Sequence, residues 1–143
     1  METVINHVGL CVHDLDRSRR FYEQLLGFEP DGELSPPDDP TSQLLGLEPP
    51  LGTRVVYLRL GAFRLELLNY EARAPRPARA RPMDEPGLTH LSIGVTDPRG
   101  VLARVEDLGG TVVPGTDIGV GAFIRDPDGQ LIELLANSMP TGS

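Results

Sequence analysis

The stretch "HVGLCVHDLDRSRRFYEQLLG", residues 7–27, lays over "HLSIGVTDPRGVLARVEDLGG", residues 90–110, and that overlay decides the fold. His7 meets His90, Val12 meets Val95 and Asp14 meets Asp97. In each copy an alternating strand runs into an aspartate, then into a helical pattern that stops at glycine (Gly27 and Gly109–Gly110). Aspartate suits a helix N-cap, and Pro98 suits a first helical position. Glycine supplies the left-handed stop. A second overlay sets "RLELLNY" (64–70) on "LIELLAN" (131–137), so that Glu66 meets Glu133, each followed by Leu-Leu. Both halves therefore carry a histidine on the first strand and a glutamate on the last.

The remaining elements follow from period and punctuation. Residues 4–12 and 88–95 read as first strands. Phe21, Tyr22, Leu25 and Leu26 share one face of the first helix, and Val101, Leu102, Val105 and Leu108 one face of the second. "TRVVYLRL" (53–60) and "FRLELLNY" (63–70) alternate as strands around a turn at Gly61-Ala62. A short strand is expected near residues 28–33, another at "TVVPG", and a terminal hairpin from "GAFIRD" through the turn "DPDG" to "QLIELLA". Each half is β-α-β-β-β, too small to enclose a core alone. The expected fold class is α+β, with tandem βαβββ modules forming one cupped, partly open eight-stranded barrel. The first module spans 1–70, a linker 71–86 and the second module 87–143. Within the first, the proline-rich segment 31–52 is expected to be irregular, either a disordered excursion or a lid or oligomer contact. The arginines of the linker read as solvated, with phosphate binding as the alternative.

Composition narrows the class. The 143 residues suit one compact domain or two half-domains sharing a core. A net charge of −8 argues against nucleic acid and against an anionic membrane surface. The 13 basic residues are all arginine, which excludes a lysine Schiff base or lysine general base. No segment approaches the roughly 20 apolar residues that span a bilayer. Cys11 has no second cysteine to pair with, and no signal-peptide pattern opens the chain, so a cytoplasmic location is expected.

Strand parity then separates two faces. His7 shares its face with Gly9 and Cys11, and His90 with Ser92 and Gly94, while the opposite faces are bulky and apolar. Small residues beside an imidazole leave space for a ligand. Glu66 shares a face with Arg64 and Leu68, and Glu133 with Leu131 and Leu135. A carboxylate among leucines is costly unless it is paired or binds a metal. Two imidazoles and two carboxylates without thiolate suit zinc, nickel, cobalt, manganese or ferrous iron. The alternative is two internally hydrogen-bonded His–Glu pairs.

Together, "INHVGLCVHDLDRSRRFYEQLLGF", "RLELLNY", "GLTHLSIGV" and "FIRDPDGQLIELL" resemble the vicinal oxygen chelate superfamily, which includes glyoxalase I, methylmalonyl-CoA epimerase, extradiol dioxygenases and bleomycin-binding proteins. The resemblance covers nearly the whole chain outside the two irregular segments. It implies tandem modules cupped around one divalent metal, with His7, Glu66, His90 and Glu133 on the four metal positions, and a homodimer. Extradiol dioxygenases resemble it less, since their iron uses two histidines and one carboxylate. Glyoxalase I usually carries an arginine four residues after its first histidine to hold glutathione, and Cys11 stands there instead. "HVGLCVHDL", "RLELL" and "GLTHLSIGV" look nearer to methylmalonyl-CoA epimerase.

The implied activity is a metal-dependent lyase or isomerase that moves an α-proton of a small oxygenated carbonyl compound through an enediolate. Glu133 is the expected base, with Glu66 its partner or a second base. Cys11, Tyr57, Arg59, Arg64 and Ser92 are candidate substrate contacts. For Arg59 and Arg64 the alternative is surface placement, for Cys11 simple packing, and Tyr57 is equally cavity lining or core. The rival functions are an iron dioxygenase and a non-catalytic small-molecule or antibiotic binder.

Overall fold

The structure is a computed structural model that describes residues 2–137. Its first half runs β1 (Val8–Cys11), α1 (Leu15–Arg20), β2 (Glu29–Leu34), α2 (Asp38–Leu45), β3 (Thr53–Leu60) and β4 (Phe63–Tyr70). Its second half runs β5 (Leu91–Val95), α3 (Pro98–Arg104), β6 (Thr111–Val112), β7 (Gly121–Arg125) and β8 (Leu131–Ala136). The Asp14 side chain accepts from the Arg17 amide at 3.0 Å and starts α1. The helix continues through a wider π turn, Phe21–Leu25, and ends before Gly27 at φ 78°. Asp97 caps α3 in the same way on the Gly100 amide, and a 3-10 turn, Glu106–Leu108, ends at Gly109, φ 90°.

The repeat is also a repeat of topology. The strand order β1-β4-β3-β2 in one sheet is matched by β5-β8-β7-β6 in the other. In both, the first strand lies parallel to the last, and the last two strands form an antiparallel hairpin. Two separate four-stranded sheets form, so within the chain the halves do not join into the single eight-stranded barrel expected from sequence. The reason lies in where the apolar faces go. Val56, Leu58, Leu65 and Leu67 of one sheet and Ile124, Ile132 and Leu134 of the other are buried in one core. Phe21, Tyr22, Leu25, Val105 and Leu108 of the helical segments fill the same core. Each sheet turns its leucine face to the helices, and its small-residue face points away from them.

The segment 31–52 is more ordered than its prolines suggest. It continues β2 to Leu34 and then forms α2, which closes on Gly46 in the left-handed region. The Asp38 carboxylate accepts from the amides of Leu51 and Gly52, folding the excursion back on itself above the buried Leu51. No residue of α2 is buried, so helix periodicity had no apolar stripe by which to announce itself.

The "DPDG" turn does more than reverse the chain. Asp128 accepts from the His13 amide (3.0 Å), the Arg17 guanidinium (3.1 Å) and the Ser18 hydroxyl (3.2 Å), all at the start of α1. Asp126 is buried and accepts from the Tyr22 hydroxyl at 2.7 Å and from the amides of Asp128 and Gln130. This polar clasp joins the halves inside a dry environment, where an unmade hydrogen bond is expensive. Asp126→Ala orphans the Tyr22 hydroxyl and two amides and should lower unfolding free energy by about 3 kcal/mol in urea denaturation. Burial, the dominant influence, pushes the Asp126 carboxyl above its ordinary range, while Tyr22 and the two amides pull it down. A native carboxyl that binds its proton more tightly than the unfolded chain stabilises the fold most below the unfolded pKa of about 4. That increment is lost as pH rises through the raised native value. Asp126→Asn should flatten the pH dependence of stability in that window; an unchanged slope would assign it to another group.

Candidate metal centre in two halves

Strand register builds each half-site. Gly9 and Tyr57 both lie opposite Glu66, on β1 and β3 respectively. Ser92 and Phe123 both lie opposite Glu133, on β5 and β7. Cross-strand partners share a face, so each carboxylate is flanked by one small residue and one aromatic. Glycine is used where space runs out: a Cβ on Gly9 would stand 3.3 Å from Glu66 Oε1.

Each histidine stands at the entry to its first strand, facing the carboxylate. His7 Nε2 is 3.4 Å from Glu66 Oε1, and His90 Nε2 is 3.9 Å from Glu133 Oε1. The preceding residue holds the other ring nitrogen in both cases. Nδ1 of His7 donates to the Asn6 amide oxygen, and Nδ1 of His90 meets the Thr89 hydroxyl at 2.8 Å. An amide oxygen only accepts, so Nδ1 carries the proton of that bond and Nε2 is the nitrogen that faces Glu66. A partner on the far nitrogen that fixes ring and tautomer is the usual companion of a metal-binding histidine. An aromatic ring meets each imidazole edge-on, Tyr57 at 5.7 Å and Phe123 at 5.4 Å.

Neighbouring ligands on an octahedral ion with bonds of about 2.1 Å stand about 3 Å apart; the His7–Glu66 separation of 3.4 Å is near that, and His90–Glu133 at 3.9 Å is longer. One chain, however, does not bring the four residues together. Among the described residues no group of three or more His, Cys, Asp or Glu side chains is placed to hold an ion. The chain presents two separate His–Glu pairs.

The two carboxylates differ in how they are held. Tyr57 donates its hydroxyl to Glu66 Oε2 at 2.8 Å, and the other oxygen, Oε1, faces His7 at 3.4 Å. Burial, then the hydrogen bond to Glu66 and its charge, push the Tyr57 phenol up, against the opposing pull of Arg64, and keep it a donor. Ser92 donates to Glu133 Oε1 at 2.8 Å, the oxygen His90 also faces. Side-chain exposure is 12% for Glu66 and 28% for Glu133, so Glu133 is the more accessible to a small molecule.

The candidate substrate contacts separate. The Arg64 guanidinium lies 3.8 Å above the Tyr57 ring and bonds to the Asp31 carboxylate at 2.8 Å; it is already engaged. Arg59 is exposed on β3. Ser92 is occupied with Glu133. Cys11 lines a cavity of about 250 Å³ with Val12, His13, Leu47, Tyr70 and Arg73. Burial, and secondarily the Asp128 charge, raise its thiol. Asn6, Thr89 and Phe123 were not singled out from sequence. The signal was present: a polar residue precedes each histidine, and an aromatic sits nine residues before Glu66 and ten before Glu133.

Fold and strand register together define a tandem βαβββ protein with one His–Glu pair in each half. The chain belongs to the glyoxalase/bleomycin resistance protein/dioxygenase superfamily, which it matches over residues 4–134. It is 30% identical to a Synechocystis protein described as "Probable lactoylglutathione lyase", covering 92% of this chain and 94% of that one. The solved trypanothione-dependent glyoxalase I of Leishmania major superposes with a TM-score of 0.71 at 25% identity, over 95% of this chain and 88% of that one. The fold is shared as well with FosX, a fosfomycin resistance protein of Listeria monocytogenes, at a TM-score of 0.66 and 16% identity, over 97% and 96% of the two chains. That structure is a complex with Mn(II) and a dihydroxypropylphosphonic acid. No helix of the described residues is long and apolar enough to cross a membrane.

Proposed function

We propose that the protein is a metal-dependent lyase or isomerase of the glyoxalase and epimerase type, transferring an α-proton of a small oxygenated carbonyl compound. The duplicated His–Glu pair, each histidine fixed through its far nitrogen, carries this reading. His7 and Glu66 of one copy, with His90 and Glu133 of a second copy, would hold one divalent ion. A homodimer of this kind gives each outward ligand face a partner and closes the eight-stranded cup between chains. The bound ion supplies Lewis acidity, lowering the cost of negative charge on the substrate oxygens.

The chain's own groups do the rest. Glu133 takes the α-proton on its free Oε2 and returns it at the neighbouring carbon or the opposite face. Ser92 keeps Oε1 turned away from that task. Glu66 stays in place under the Tyr57 hydroxyl. The cavity beside Cys11 lies along β1 from His7 and suits the remote end of the substrate. Without an arginine at position 11, that end need not be glutathione.

The reading is tested on untagged protein dialysed against Mn²⁺, Zn²⁺ or Ni²⁺, followed by elemental analysis. The expected result is one tightly held ion per chain, and loaded protein that exchanges the α-proton of the methylglyoxal hemithioacetal with solvent deuterium. Protein that takes up none of these ions is not an enzyme of this kind. Oxygen consumption with a catechol by the iron-loaded protein would favour the dioxygenase instead.

A further inference from the structure

The repeat is least symmetric around its two glutamates, and there the halves can be compared position by position. Opposite Glu66 stands Tyr57; opposite Glu133 stands Phe123. Two residues before Glu66 is Arg64; two before Glu133 is Leu131. Only the first half, then, has a phenol to hold its carboxylate and a cation to hold the phenol. Asp31 grips Arg64 through its carboxylate at 2.8 Å and its carbonyl at 3.3 Å, and Arg64 lies flat on the Tyr57 ring at 3.8 Å. Tyr57 in turn binds the Glu66 oxygen that His7 does not face. In the second half the one side-chain donor to Glu133 among the described residues is the Ser92 hydroxyl. It rotates about one bond and shares the oxygen that faces His90.

We propose that Asp31, Arg64 and Tyr57 form a positioning clamp that fixes Glu66 as a static ligand, and that its absence from the second half assigns the proton to Glu133. This rests on the metal-dependent reading above and deepens it. A carboxylate clamped at Oε2, with Oε1 aimed toward His7, is already oriented and loses little freedom when an ion binds, which favours affinity. Glu133 is held by Ser92 at the oxygen that faces His90, which leaves Oε2 to reach a substrate carbon and move with the proton. Two chemically equal carboxylates on a duplicated framework thereby acquire different tasks from one hydroxyl and one guanidinium.

The repeat supplies its own control. Phe123 fills the equivalent register position with the same edge-on contact to an imidazole, so the fold accepts phenylalanine there. Tyr57→Phe and Phe123→Tyr exchange the two environments without changing bulk. Mn²⁺ affinity is read by the paramagnetic resonance signal of the free ion, and α-proton exchange of the hemithioacetal is read at saturating Mn²⁺. Tyr57→Phe should weaken Mn²⁺ about tenfold and leave exchange at saturation within a few-fold of wild type. Phe123→Tyr should leave Mn²⁺ affinity unchanged or tighter and slow exchange about tenfold. A purely structural role would move both quantities together. Tyr57→Phe protein that binds Mn²⁺ like the wild type, or two variants that shift the same quantity, overturns the clamp and leaves the metal reading standing. Wild-type protein that binds no Mn²⁺, or binds it and exchanges no proton, overturns the reading and the clamp with it.

Discussion

Glu133→Gln is expected to fold normally and to lower α-proton exchange about a thousand-fold, the middle of the range for a lost general base. Glutamine matches glutamate in size and keeps a carbonyl oxygen to accept from Ser92 at the position now 2.8 Å away. What it loses is the ability to take a proton at Oε2. Glu66→Gln should fail differently. Its carbonyl oxygen can still accept the Tyr57 hydroxyl that now approaches Oε2 at 2.8 Å, but the amide nitrogen then replaces Oε1 beside His7, and an amide nitrogen has no lone pair for an ion. That variant should lose the ion first, and part of its exchange should return at millimolar Mn²⁺. Following exchange by proton resonance against added Mn²⁺ separates the two. Glu133→Gln protein that keeps exchange within tenfold of wild type would remove Glu133 as the base.

How the two glutamates come to differ was beyond the sequence, although their pairing was legible in it. The overlay of residues 7–27 on 90–110 placed His7 and His90, and strand parity placed them on the small-residue faces. The hairpin strands 53–60 and 63–70 come out at the residues expected. These features are local and periodic, and periodicity is what a sequence displays. The contacts that join the halves are neither. Nothing in "DPDG" marks Asp126 as the partner of Tyr22, 104 residues earlier, because a single buried hydrogen bond has no period. α2 escaped notice for the opposite reason: it buries nothing. The β3–β4 register decides Tyr57, which parity left open: it stands on the face of Glu66 rather than in the core. Parity states which face of a sheet a residue occupies, but not where two sheets stand relative to each other. So the four candidate ligands fall on matching faces in the sequence, while their separation into two pairs stayed hidden.

That separation yields the second large prediction. His7→Ala and His90→Ala should each lose the ion as pure proteins, because every site then lacks one imidazole. In a homodimer each site takes His7 and Glu66 from one copy and His90 and Glu133 from the other. A mixed dimer of the two variants therefore concentrates both lesions in one site and leaves the second site intact. Subunits reassorted at random, for instance by unfolding and refolding an equal mixture, form mixed dimers half of the time. The mixture should recover about a quarter of the wild-type metal content and exchange rate, from two proteins that have neither alone. A site built within one chain predicts no recovery at any ratio, since every chain carries a lesion. The recovered activity should also fall on dilution below the dimer dissociation constant, as binding shared between two chains requires. Absence of recovery in a mixture shown by mass to contain mixed dimers would place the ion within a single chain. The two sheets would then have to turn their ligand faces toward each other, breaking the core that Tyr22, Leu67 and Ile132 now share.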